Sequence, residues 1–245
     1  MAQDGTYISF GLVDVTAKQD SSFQAEDMHP FSNLEDLKKD DVQPLKIATL
    51  EKNLWLLDGT FEIMPDDPQN YDWGLWSLSL SDSTGAFAVS PQLTVDFSAN
   101  HSSAGLTLYF DTATEDYCSS LNIKWYDAAE SLLADGNFQP TDAVYFCEKQ
   151  VENYRKIVIT FFRTVKPYRY LKLSNILYGE IKTFSPDEII SANVREAVNP
   201  LSAELVINTL GFRVHSNDAR FNIMQPTGVY RLLQQLQPLK VWLNA

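Results

Sequence analysis

Three histidines, His29, His101 and His215, stand far apart, and none has the His-x-x-x-His spacing that would ligate a metal from one helix face. His101 lies in Asn100-His101-Ser102-Ser103, where Ser102 and a carboxylate would complete a hydroxyl–imidazole–acid relay. Such a relay is defined by geometry, and a turn ordered by hydrogen bonds uses the same residue types. Acid pairs occur at Asp66-Asp67 and Glu115-Asp116. Glycoside hydrolysis needs two carboxyls ~5–10 Å apart across a sugar, but these pairs lie in polar loops, where acids are ordinarily hydrated. No catalytic residue is therefore assigned, and a hydrolase ranks last among the readings. Asp111, Glu115 and Asp116 supply the oxygen ligands that a structural Ca²⁺ between strands would require. Tyr71, Trp73 and Trp76 follow a Pro-bounded loop, and with His101 they make a candidate surface for stacking a sugar ring. Against this, Trp76-Ser77-Leu78-Ser79-Leu80 alternates, which would turn Trp76 inward with Leu78 and Leu80.

These residues must be positioned by strands. Residues 92–97, 105–110, 121–126, 143–147, 157–162 and 170–178 form short β-type runs, most alternating apolar with polar residues. Alternation buries one face of a strand and wets the other. Several such strands at short spacing, without long helical patterns between them, predict an antiparallel β-sandwich. Cys118 and Cys147 sit within or beside these runs, where they act as small core hydrophobes; a bridge between them is the alternative.

The formal net charge of -13 argues against a nucleic-acid partner, which needs a basic stripe, and against an anionic membrane surface. Much of the acid precedes Pro44, whereas residues 154–172 are locally basic through Arg155, Lys156, Arg163, Lys166, Arg169 and Lys172. Such asymmetry can guide docking between unlike surfaces. No run reaches the ~18 apolar residues of a membrane span. The opening Met1-Ala2-Gln3-Asp4-Gly5 lacks the features of a signal peptide, so assembly in the cytoplasm is expected.

Three regions are predicted: an N-terminal arm over 1–50, the sandwich over 51–184, and a third region over 185–245. The arm carries a strand over 7–13 and a short helix over 31–37 capped by Ser32 or Asn33. The third region carries strands over 188–196 and 203–215 and a helix over 228–236. In that helix Val229, Leu232, Leu233 and Leu236 share one face and Pro238 ends it. Leu239-Lys240-Val241-Trp242-Leu243 then reads as an apolar strand without a partner, so the region is expected to be incomplete or completed by another chain.

The segments 50–59, 97–108, 204–210 and 221–230 resemble tail and baseplate proteins of temperate phages and prophages of Gram-positive bacteria. That resemblance implies a discoidin-like jelly roll, the fold shared with many carbohydrate-binding modules. Phe110-Asp111, Trp125-Tyr126-Asp127 and the run from Pro167 to Leu173 would lie in its core strands. It further implies that the third region opens a hub-like β-barrel, that the chain forms a homo-oligomer with other tail or baseplate subunits, and that it resides in the virion tail. On this reading the chain is a structural component of the particle and touches host glycan. The alternative is a stand-alone carbohydrate-binding module of a surface protein.

Overall fold

The computed structural model describes residues 5–39, 48–49, 51–52, 59, 74–195, 209–215, 221, 224, 232–233 and 237–244. In chain order the elements are β1 (Gly5–Val13), α1 (Val15–Asp20), β2 (Ser22–Ala25), a 3-10 turn at Leu34–Lys38, β3 (Leu75–Trp76) and β4 (Gln92–Phe110). They continue as β5 (Cys118–Tyr126), β6 (Leu132–Phe138), β7 (Val144–Thr164), β8 (Lys172–Leu177), β9 (Gly179–Phe184), β10 (Ile189–Arg195), β11 (Thr209–Val214) and β12 (Leu239–Asn244). The architecture is mainly β with antiparallel sheets, as the alternation predicts.

Two compact units divide the chain: Val13–Glu180, and Met1–Leu12 with Ile181–Ala245. This differs from the expected division at 50 and 184. Met1–Leu12 joins the C-terminal residues, and the rest of the supposed arm belongs to the larger unit. There β2 pairs with β4, and Ala17 and Leu37 enter the same core as the sandwich strands. The helix expected over 31–37 is the 3-10 turn. Asn33 is its N-cap but makes no side-chain cap bond, and Ser32 Oγ is engaged with the Trp76 backbone.

The larger unit is built on two long strands that fold back on themselves. Residues 92–97 and 105–110 were expected as separate strands, and so were 143–147 and 157–162; each pair is one continuous strand, β4 and β7. The first half of β4 pairs Leu93 with Ile159 and Val95 with Ile157, while the second half pairs Leu106 with Cys147 and Tyr109 with Val144. Between the halves the register slips at Asp96/His101, His101/Ser103 and Ser103/Gly105. These bulges let the ribbon turn from one layer to the other. Gly105 permits the return: its φ is +155°, and a Cβ there would lie 2.2 Å from the Cys147 carbonyl oxygen. One layer adds β2, β5 and β6, and the other adds β8 and β3.

Leu93, Val95, Ile123, Trp125, Ile157 and Ile159 face Leu106, Leu108, Cys147 and Leu173 in a core where each is fully buried. Phe110 and Phe161 meet edge to face across it, with ring centroids 6.5 Å apart. Each such side chain contributes about 1.5–3 kcal/mol through burial, so the alternation seen in sequence is the main stabilising pattern. Cys118 and Cys147 are free thiols in this core, and burial raises them to about 11 and about 12.

In the smaller unit the sheet order is β12-β1-β9, and β10 pairs separately with β11. The terminal strand expected to lack a partner therefore has one in its own chain. Gly5 lies opposite Asn244 and Tyr7 opposite Trp242, whose rings stack at 5.7 Å. The helix expected over 228–236 lies, apart from Leu232 and Leu233, outside the described residues.

Candidate functional site

The fold-back of β4 and β7 gives the sandwich two unlike ends. One is the turning end, formed by the bends themselves and by α1. The other is the loop end, where segments 26–33, 77–91, 111–117 and 164–171 connect the layers.

His101 sits at the turning end, buried in the β4 bend. Its Nδ1 lies 2.8 Å from Asp14 Oδ2 and its Nε2 lies 2.9 Å from Asp20 Oδ2. Asp14 is the N-cap of α1 and accepts from the Thr16 and Ala17 amides; Asp20 is the last residue of the same helix and accepts from the Ala99 amide and the Ser98 hydroxyl. One imidazole thus ties both ends of a short helix to the bend. Burial works to raise the Asp14 carboxyl, but hydrogen bonds from Thr16, His101 and Ala17 outweigh it and hold the group below its ordinary value. The Ser98 hydroxyl, then His101 and the Ala99 amide, hold Asp20 far below the usual carboxylate range.

Phe97 and Tyr154 pack against the His101 ring at 5.0 and 6.4 Å. The expected relay is not assembled, since Ser102 Oγ accepts from the Asn153 amide while the ring is held by two acids. Nor does His101 offer a free edge to a sugar. The arrangement is a structural clamp, and the sequence hid it because Asp14 and Asp20 are remote from His101 along the chain.

At the loop end the expected metal ligands are placed but differently employed. Asp111 and Asp116 are buried and bridge each other across the loop. Lys166 Nζ and Arg169 Nε each lie 3.0 Å from an Asp116 oxygen, and Lys172 Nζ lies 3.6 Å from Asp111 Oδ2. Asp111 also accepts from the Ala113 amide and the Thr114 hydroxyl, and Glu115 is exposed beside them. The carboxylates expected to hold Ca²⁺ thus face three side-chain cations. Among the described residues no group of three or more His, Cys, Asp or Glu could hold a metal ion.

Lys172 is itself buried, pairing with Glu51 Oε2 at 2.7 Å and lying 4.8 Å from the centre of the Trp76 ring. Trp76, expected as a sugar platform, is fully buried, but the alternation expected over 76–80 is not kept: Ser77 is buried beside it and Leu78 is exposed rather than turned inward. Tyr71 and Trp73 lie outside the described residues. Around Trp76 stand His29, Phe31 and Tyr170, with ring centroids 5.4, 6.2 and 6.2 Å from it. Burial, helped by the Lys172 charge and opposed by Glu51, lowers His29 from its ordinary value.

One exposed aromatic rises from this network. Tyr168, 37% exposed, has φ +58°, a conformation in which a bulky L residue is an outlier. The run from Pro167 to Leu171, expected as part of a core strand, is a loop, and β8 begins only at Lys172. The loop is pinned on both sides of the ring. The Tyr168 amide donates to Asp82 O, and the Arg169 amide donates to Ser81 Oγ. The Arg169 guanidinium pairs with Asp116 and, through Nη1 at 2.5 Å, bonds the Lys52 carbonyl. Lys52 in turn holds its ammonium 5.4 Å from the centre of the Tyr168 ring. Sequence reasoning missed Tyr168, since nothing in Pro167-Tyr168-Arg169 encodes a positive φ; the adjacent proline was the only local turn signal.

No family model matches the chain, and no curated protein matches it. Among solved structures it is similar to the family 32 carbohydrate-binding module of Clostridium perfringens NanJ in complex with galactose. The two share 9% identity at a TM-score of 0.42 over 69% of this chain and 97% of that one. It is also similar to the lectin domain of lectinolysin complexed with Lewis B antigen, at 9% identity and TM-score 0.41 over 66% and 93%. A fucose-binding module of Streptococcus pneumoniae, SpX-3, is similar at 10% identity and TM-score 0.38 over 67% and 95%.

Proposed function

We propose that this chain is a non-catalytic carbohydrate-binding module whose ligand stacks on Tyr168 at the loop end of the sandwich. The observation that carries the reading is the strained, exposed Tyr168 ring held rigid by buried ionic groups. Backbone strain of this kind costs on the order of 1–3 kcal/mol and persists only where the surroundings over-determine it, which is characteristic of ligand clamps. A ring fixed before binding loses little freedom on contact, so a flat apolar sugar face gains most from it. Polar groups for the sugar hydroxyls are at hand in the exposed side chains of Lys52, Lys166 and Glu115. The chain binds and positions, and no bond is made or broken. The sugars named for the similar structures, galactose and fucose, are the first probes. Saturable change in tyrosine or tryptophan fluorescence with one of them, lost in Tyr168→Gly, is the expected result.

A second reading is favoured by a different observation. Among the described strands β12 is an edge of its sheet, and it exposes Val241, Trp242 and Leu243, the last 78% accessible. An open apolar edge invites strand addition, as a subunit of a phage tail, a baseplate or a homo-oligomer would need. Light scattering over a concentration series tests it: growth in mass that is abolished by Val241→Lys supports assembly, and a constant monomer removes it.

A further inference from the structure

The charges around Tyr168 divide into those already matched and one that is not. Lys166 and Arg169 share Asp116, and Lys172 lies against Glu51 and Asp111. Lys52 is different. Its side chain is exposed, it rests over the Tyr168 ring, and among the described residues no carboxylate lies within ion-pair distance of its ammonium. Its backbone is fixed by Arg169 Nη1, whose side chain is 8% exposed and anchored on Asp116. The same buried guanidinium therefore holds both the ring and the residue that carries the cation.

Resting on the proposed sugar stacking at Tyr168, we propose that the ligand is an acidic sugar whose carboxylate pairs with Lys52. A pyranose stacked on the ring places its edge substituents within reach of a cation seated beside the same ring. A carboxylate at that edge would supply the partner that no described residue gives Lys52, whereas a neutral hydroxymethyl would leave the ammonium hydrated. In a chain of net charge -13 an acidic ligand is repelled elsewhere, so one uncompensated cation at the ring confers selectivity as well as affinity.

The test uses two sugars that differ only at C6, galacturonate and galactose, titrated calorimetrically into the full chain at low salt. Galacturonate is expected to bind about fivefold more tightly, as one exposed ion pair supplies. The ratio of the two affinities should fall to one in Lys52→Gln, whatever that substitution does to galactose binding itself, and should shrink in ~0.5 M salt through screening. Equal binding of the two sugars, or preference for galactose, overturns the acidic-ligand inference and leaves the sugar-binding reading standing. Binding of neither, with a normal thermal melt, overturns the acidic-ligand inference, and failure of fucose to bind as well overturns the sugar-binding reading. Retention of the galacturonate advantage in Lys52→Gln removes Lys52 from the site.

Discussion

The two ends of the sandwich use charged residues in opposite ways. At the turning end, His101, Asp14 and Asp20 face one another and close a helix onto a bend. At the loop end, Asp116, Arg169, Lys166, Lys172, Glu51 and Asp111 form a larger network, and above it stands a strained tyrosine that faces solvent. Both networks bring buried carboxylates against basic side chains, but at the loop end Asp116 and Arg169 Nε meet at ion-pair distance without a hydrogen bond. What separates them is what they hold in place: a secondary-structure element in one case, an exposed ring in the other. Burial and ion pairing alone therefore do not mark a site; the marker is what the pairing leaves outside.

The difference can be broken most forcefully at His101. His101→Ala leaves the buried Asp14 carboxylate and Asp20 without the ring between them, and a buried acceptor deprived of its hydrogen-bond partner costs about 1–3 kcal/mol, more when it is charged. Urea unfolding should show that loss. A cost below about 1 kcal/mol would mean the clamp contributes little to the fold.

Acid provides the next test. Asp14 and Asp20 are held below their ordinary values in the folded chain, so the stability they contribute is present above the unfolded value near pH 4. It is lost as pH falls through the lower folded values. Unfolding free energy should therefore decline below about pH 4, less steeply in His101→Ala than in the parent chain. Equal slopes in both would detach these carboxylates from the ring.

At the loop end the expected stability change is small. Tyr168→Gly relieves a positive φ but frees the unfolded chain, and these opposing effects leave a net change under about 1 kcal/mol. The same substitution removes the stacking ring. A melting temperature that collapses would assign Tyr168 to the core and erase the contrast between the ends. The smallest signal concerns the core between them. Cys118 and Cys147, raised by burial, should not react with an aromatic disulfide reagent at pH 8 until urea unfolds the chain. Prompt labelling of either in the native protein would show a core more open than described.

Where the alternation was strong the strands were legible, as at Leu93, Val95, Ile157 and Ile159, because burial of one face imposes period two. The continuity of β4 and β7 was not legible, since the bend residues Ser98 and Ala99 break the alternation and read as a loop. β6 escaped notice because Leu132 and Leu133 at the sheet edge are exposed and Gly136 interrupts the run. The strand at Val241 was readable, but its partner at Tyr7 lies at the other end of the chain, and pairing over that distance leaves no local signal. Of the candidate site, Trp76 and His101 were singled out by residue type, yet tertiary contacts bury both. Tyr168 was passed over because its importance lies in a backbone angle set by Asp82, Ser81 and Arg169.

The central claim is that Tyr168 is a binding ring and not a packing residue. Its most direct test is saturation-transfer NMR on the full chain with galactose, galacturonate and fucose, beside Tyr168→Gly at matched melting temperature. The account predicts transfer to at least one sugar in the parent chain and none in the variant. Equal transfer in both, or none in either, would contradict it.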